Sequence, residues 1–296
     1  GGVRAFLRMG GGFRFHPPPR RCRSGGGVRP ARILARMSVE GRLENLGAAT
    51  LRGFGGMGVF SRFVAESGRS TRDVGTWVPL LAVQMRKLGV NSLPIALFLS
   101  AFTGIVLALQ ASYTFTGAVP LYFVGTLVGK TMILELGPVL TGLALAGRVG
   151  ANIAAELGTM RVSEQIDALE TMAYNPVAYL VVPRVLAGLL MFPVIVILAD
   201  VVAIFFGLVT SMSLLDMSAQ QFIRGLRLFY THFDIVYSTI KCVSFGFVIT
   251  RIGCYQGFHT RGGAEGVGVA TTRAVVISAI MILVLDAFWA ATLLRQ

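Results

Sequence analysis

The chain alternates long apolar runs with short polar breaks, and five of the runs are long enough for a helix to cross a bilayer core of about 20 residues. They are Leu93 to Tyr113, a stretch inside Val119 to Leu157, Val185 to Met212, Ile235 to Tyr255 and Ala274 to Leu294. The second is too long for one simple span and is broken by Lys130, Glu135 and Arg148; it predicts a tilted or extended helix over about Leu127 to Gly147, preceded by an external hairpin. Ahead of the first span, residues 38–90 set Leu43, Leu46, Leu51, Phe54, Met57, Phe60, Phe63 and Val64 among Arg42, Arg52, Arg62 and Arg69. That pattern predicts an N-terminal helical segment lying in the membrane interface. An ordinary packed helical hairpin is the alternative, and Gly53, Gly55, Gly56 and Gly58 weaken any helix there. The expected fold class is an all-α integral membrane protein, with residues 91–296 forming a five-helix transmembrane domain.

Two shorter patterns add detail. Gly142, Ala146, Gly150, Ala154 and Gly158 recur every fourth position and predict a smooth packing ridge for a helix of this chain or of a second copy. Gly147, Ala151 and Ala155 form a second row beside it. Between spans two and three, Val162, Ile166, Leu169 and Ala173 make one stripe, opposite Glu164, Asp167 and Glu170. A short amphipathic helix over about 161–173 is therefore expected, with Ser163 as its N-cap and Asn175-Pro176 as its stop. It either rests on its own membrane domain or docks a cytosolic partner.

Composition agrees with this reading: 54% of residues are hydrophobic and 14% charged, which excludes an ordinary soluble enzyme. A net charge of +13 suggests a polyanion partner until it is divided along the chain. Residues 1–37 hold nine arginines and no acid, interleaved with Gly and Pro runs, and are expected to be a disordered basic tail. They lack the apolar core of a secretory signal. Met37 reads as a natural start, so the preceding stretch is expected to be a non-native extension. No nucleic-acid partner is expected. Of the remaining basic residues, Arg148, Arg161, Arg184, Arg251, Arg261 and Arg273 flank one set of connections, while Lys130, Arg224, Arg227 and Arg295 are on the other side. The positive-inside rule then predicts a cytoplasmic N-terminus and an external C-terminus.

Candidate chemistry is sparse. Cys22, Cys242 and Cys254 and His16, His232 and His259 are scattered, so neither a disulfide framework nor a metal site is expected. Gly125-Thr-Leu-Val-Gly129-Lys130-Thr131 has three residues between its glycines where a phosphate-binding loop needs four, and no ATP hydrolysis in this chain is expected. No catalytic cluster of a lipid-modifying enzyme and no repeated halves of a stand-alone carrier are visible. Ionisable residues inside spans are functional candidates. Glu135, close to Pro138, is the sharpest; Asp200, Lys241 and Asp286 are expected to pair with one another structurally.

A set of motifs in fixed order resembles the MlaE-type permeases of lipid ABC transporters. These are Glu135-Leu-Gly-Pro138, Ala146-Gly-Arg148-Val-Gly150, Ala155-Glu156-Leu-Gly158-Thr-Met160, Ser163-Glu164-Gln165-Ile-Asp-Ala168 and Pro183-Arg184-Val-Leu-Ala187. Gly262-Gly263-Ala-Glu-Gly266-Val-Gly268 and Thr271-Thr272-Arg273-Ala-Val-Val276 through Asp286 continue it, so that it covers residues 40–296. The resemblance implies a homodimeric permease working with a cytosolic ATPase dimer, which binds the ATP, and with an MCE-domain lipid-binding protein. Its cargo would be phospholipid or a related lipid moving between inner and outer membranes, in a bacterial inner membrane or, alternatively, a chloroplast inner envelope. It makes the 161–173 helix the ATPase-coupling helix, through Arg161, Ser163, Glu164, Gln165, Asp167 and Glu170. Glu135, Arg148 and Glu156 become the candidates for lining the lipid path or holding the helix arrangement.

Overall fold

A computed structural model describes residues 58–72, 74–114, 120–215, 217–228 and 230–293. The chain divides into Gly1–Gly56 and Met57–Gln296. All described residues belong to the second unit, so the expectations for the tail and for residues 38–57 lie outside them. Among the described residues the ordered elements are helices: α1 (58–70), α2 (Val74–Thr114), α3 (Phe123–Val162), α4 (Gln165–Thr171), α5 (Val177–Leu214), α6 (Ala219–Leu228), α7 (His232–Phe258) and α8 (Gly263–Leu293). Five of them, α2, α3, α5, α7 and α8, are long and apolar enough to cross a membrane. The protein is an all-α integral membrane protein.

The helices run past their expected ends. Residues 74–90, which lie in the expected N-terminal segment, are continuous with the first span in the 41-residue α2, which is about 60 Å of helix against a bilayer core of about 30 Å. Arg86 and Lys87 end the apolar run without ending the helix; the winding changes there to a π-turn, Met85–Gly89, and a 3-10 turn, Val90–Ser92. Likewise α3 is one 40-residue element and not a span of about 20. It passes through π-turns at Met132–Leu136 and Ala146–Gly150, the first of which leads into Gly137-Pro138. Helix α6 lies where only an external connection carrying Arg224 and Arg227 was expected. Its Phe222 and Gly225 are buried, and Thr126 of α3 donates to the Gly225 carbonyl at 2.6 Å.

Among the described residues two large apolar cores and a smaller one, of Ala154, Ile252 and Ala274, hold the bundle. One large core joins Leu145, Ile153 and Leu157 of α3 to Phe192 and Ile195 of α5, Phe245 and Ile249 of α7 and Ile282 of α8. The other large core joins Leu107 and Ala108 of α2, Val124 and Val128 of α3, Ala203 of α5 and Phe222 of α6. The small-residue ridge faces this chain's own helices: Gly142 lies against Phe245 and Ile282, Gly150 against Ile249 and Ser278, and Gly158 against Thr260 and Val267. Beside it, Gly147 is exposed with nothing near it. Helix α8 buries only Ala270, Ala274, Ser278 and Ile282, a stripe one residue wide.

Helices approach closely in lipid by van der Waals packing of small residues, since lipid offers no hydrophobic drive for association. At the α2–α5 contact a Cβ on Gly104 would overlap the Ala203 carbonyl. Gly104→Ala is expected to cost about 1–3 kcal/mol, the usual range for overpacking. The measurement is thermal unfolding in detergent. Gly147→Ala, which meets open space, serves as the neutral comparison.

Candidate functional site

The most polar point inside the bundle is built on Lys241 of α7, whose side chain is 0% exposed. Its Nζ donates to Glu135 Oε2 of α3 at 2.7 Å, to the Leu134 carbonyl at 3.1 Å and to Tyr237 OH at 3.3 Å, and it forms an ion pair with Asp286 of α8. Tyr237 in turn donates to Glu135 Oε1 at 3.3 Å. The π-turn Met132–Leu136 is what presents both Glu135 and a backbone carbonyl to one ammonium group. One turn further along, Trp289 Nε1 donates to Ser244 Oγ at 3.1 Å and fastens α8 to α7 beside the cluster. Glu135 remains 37% exposed, so the cluster reaches the surface of the chain.

Asp200 does not join it. The expectation that Asp200, Lys241 and Asp286 pair holds for the last two and fails for the first, because Asp200 sits on the face of α5 that packs against Gly137. A Cβ at Gly137 would overlap Asp200 Oδ1, and that oxygen is buried without a hydrogen-bond partner. Its α3 neighbour is backbone, while the Lys241 protons already serve α3, α7 and α8.

A second ionic junction lies toward the α4 end. Glu156 of α3 accepts from Lys87 of α2 at 2.7 Å and pairs with Arg184 Nη2 of α5 at 3.3 Å. The Arg184 side chain is 4% exposed, and its Nη1 also donates to the Leu180 carbonyl. Three long helices therefore meet at one carboxylate. Arg148, between Glu135 and Glu156 in sequence, is exposed and makes no ion pair among the described residues. The three candidates of α3 thus fall at three separate places. Lys87, Arg184 and Tyr237 are participants that the sequence reading did not assign.

Helix α4 is shorter than the expected 161–173, and its ends differ from the expected ones. Ser163 Oγ donates back to the Thr159 carbonyl at 2.8 Å, so it closes α3 and does not cap α4. Glu164, with φ 59°, makes the corner, and its carbonyl takes the Ala168 N–H. At the other end Ala173, with φ 60°, stops the helix, while Asn175 starts α5 by accepting the N–H groups of Val177 and Ala178 at 3.0 and 3.3 Å. Of the expected stripe, Ile166 is fully buried and Leu169 is partly so, whereas Val162 and Ala173 are exposed. Arg161 and Asp167 form an ion pair that ties the end of α3 to α4. The outward side presents Glu164, Gln165, Glu170, Met172 and Tyr174. Helix α1 seats Phe63 against the rings of Tyr255 and Phe258 at the end of α7, where Arg251 Nη1 donates to the Val64 carbonyl at 3.5 Å.

Comparison with known proteins interprets this arrangement. Residues 81–292 match the family model described as Permease MlaE. The chain belongs to the MlaE permease family. A member from Rickettsia prowazekii named "Probable ABC transporter permease protein" is 38% identical over 239 residues, which is 81% of this chain and 92% of the relative. The "Intermembrane phospholipid transport system permease protein MlaE" of Haemophilus influenzae is 35% identical over 70% of this chain and 80% of its own. A plastid member, "Protein TRIGALACTOSYLDIACYLGLYCEROL 1, chloroplastic" of Arabidopsis thaliana, is 36% identical over 69% of this chain and 58% of its own. The matched MlaE region spans the Lys241 cluster, the Glu156 junction and α4 together.

Proposed function

We propose that this chain is the permease subunit of an ABC transporter that moves phospholipid between an inner and an outer membrane. In this reading two copies form the membrane unit, a separate cytosolic ATPase dimer binds the ATP and engages α4, and an MCE-domain lipid-binding protein works on the opposite side. The compartment is a bacterial inner membrane, with the N-terminus and α4 in the cytoplasm. The names of the bacterial relatives support the cargo and the transporter class.

The observation that carries the reading is the attachment of α4. It is a seven-residue helix fixed to α3 by the Arg161–Asp167 pair and followed directly by the Asn175 cap of α5. Ile166 anchors it, and its acidic outer side with Met172 and Tyr174 is left for a partner. A push on α4 reaches both α3 and α5, and those two helices are joined again by Glu156 and Arg184. Closure of the ATPases would then shift α3 against α5 and alter the lipid path. The chain supplies a lever and a path, and bond breaking occurs on the ATPase.

The test is co-purification from membranes that hold the whole complex. The double reversal Glu164→Lys with Glu170→Lys, both on exposed positions, is expected to remove the ATPase from the purified complex while leaving the helical content and thermal midpoint of the permease unchanged. Retention of the ATPase would count against α4 as the docking element. Lipid transfer by the chain without any ATPase would refute the transporter class.

A further inference from the structure

The turn between α7 and α8 encloses a feature that the permease reading leaves unused. A cavity of 430 Å³ lies at the α4 end of the molecule, with His259, Thr260 and Arg261 on one wall and Glu265, Gly266 and Arg273 on the other. Its shape depends on the glycines of this turn. Gly262, at φ 93°, reverses the chain, and Gly266 is pressed so close to the Arg261 carbonyl that any Cβ there would overlap it.

The chemistry of the walls is that of an anion site. Arg261 and Arg273 are exposed and form no ion pair among the described residues, even though Glu265 shares the cavity. His259 uses its Nδ1 on the Tyr255 carbonyl at 2.9 Å, which leaves Nε2 for another partner. The 31-residue α8 starts at Gly263, so its first-turn N–H groups, which have no partner within the helix, lie at the same place. Basic pockets between transmembrane helices at a membrane face are suited to phosphate-bearing headgroups. The floor is also shared with the lever: a Cβ on Gly158 of α3 would meet Thr260 Oγ1 at 2.9 Å, and α3 leads within a few residues into α4.

We infer that this cavity binds a phosphate group, supplied either by the headgroup of a lipid in the adjacent leaflet or by free phosphate. Arg261 and Arg273 hold the anion, the start of α8 adds its N–H groups, and Glu265 limits the affinity by repulsion. The site is separate from the Lys241 cluster and from the outer side of α4, so its failure would leave the permease reading standing.

The experiment is calorimetric titration of the full-length chain in detergent with dioctanoyl phosphatidic acid, with dioctanoylglycerol, which differs by the phosphate alone, and with inorganic phosphate. The parent is expected to bind phosphatidic acid saturably and dioctanoylglycerol not at all. Arg261→Gln with Arg273→Gln should weaken phosphatidic acid roughly tenfold or more, the loss expected for two charge-assisted contacts. Glu265→Gln should tighten it, a direction that simple damage to the fold does not produce. Arg224→Gln with Arg227→Gln, at the opposite end, should change nothing. If the double cavity variant does not fold, exposed Arg273→Gln alone carries the test. Competition by inorganic phosphate assigns the site to phosphate itself, and binding of phosphatidic acid without that competition assigns it to the lipid. Equal binding of dioctanoylglycerol, an unaltered affinity in the arginine variants, or no binding of either phosphate compound overturns the inference.

Discussion

Lys241→Met is expected to lower the stability of the bundle by about 3–5 kcal/mol, the cost of removing one partner from a buried ionic group. Methionine fits the volume and the apolar surroundings, so packing alone does not cause the loss. What remains is two carboxylates, Glu135 and Asp286, on neighbouring helices inside the membrane with their shared cation gone. Charge in that position is expensive unless it is paired. The Leu134 carbonyl and Tyr237 OH lose their donor as well. Thermal unfolding in detergent measures the effect, and ATP-driven lipid transfer in proteoliposomes measures its consequence. Combining Lys241→Met with Glu135→Gln and Asp286→Asn should restore most of the stability, because amides require no counter-ion. If the triple variant regains stability but not transfer, the charges serve transport; if it regains both, their part is structural.

The second large effect is expected at the junction of α2, α3 and α5. Glu156→Gln removes the counter-charge of the buried Arg184, replacing an ion pair with a neutral amide contact, and should cost roughly 2 kcal/mol, within the range for hydrogen bonds to charged groups. Lys87→Gln should cost much less, since that side chain is 40% exposed and reaches water or headgroups. The functional difference is expected to be larger than the stability difference. With Glu156 neutral, α4 remains attached to α3 and α5, and the two helices keep their apolar packing but lose the ion pair that joins them nearest to α4. ATP hydrolysis by the intact complex should then continue while lipid transfer falls at least severalfold. Parallel loss of both rates would indicate damage to ATPase docking, and unchanged transfer would remove Glu156 from the transmission path.

Hydropathy made the five spans and the all-helical class legible, because twenty apolar residues have few other uses. It did not reveal where each helix ends. Arg86 and Lys87 interrupt the apolar run before Leu93, yet a helix leaving the bilayer core needs no apolar face on every side, and α2 continues through them. The same limit concealed α6, whose arginines point outward while Phe222 and Gly225 point in; the spacing of those two buried residues was the available signal. Glu135 stood out as a charge in an apolar run, and Glu156 entered through the motif that carries the family resemblance. Lys241 stood out too, but Lys87, Tyr237 and Arg184 did not, since they are distant in sequence and only the fold brings them to the two carboxylates. Asp200 and Lys241 looked equivalent along the chain and differ because one faces a glycine backbone and the other two carboxylates. Ser163 has the right residue type for a cap, but the sharper turn at Glu164 leaves its hydroxyl directed at the preceding helix.

The π-turns of α3 place a constraint on chain length as well as on residue type. Each is a turn with one residue more than an α-helix would use, so removing a residue from 132–136 would give a more regular helix with better local bonding. The wide turn absorbs its extra residue, so the helix on either side would keep nearly the same phase, and the loss would fall on the turn itself. Gly125, Gly129 and Thr126 would still meet Phe222, Leu226 and Gly225 of α6, whereas Glu135 and the Leu134 carbonyl would no longer converge on Lys241. A deletion that repairs the winding would therefore dismantle the Lys241 cluster while leaving the α3–α6 contact in place.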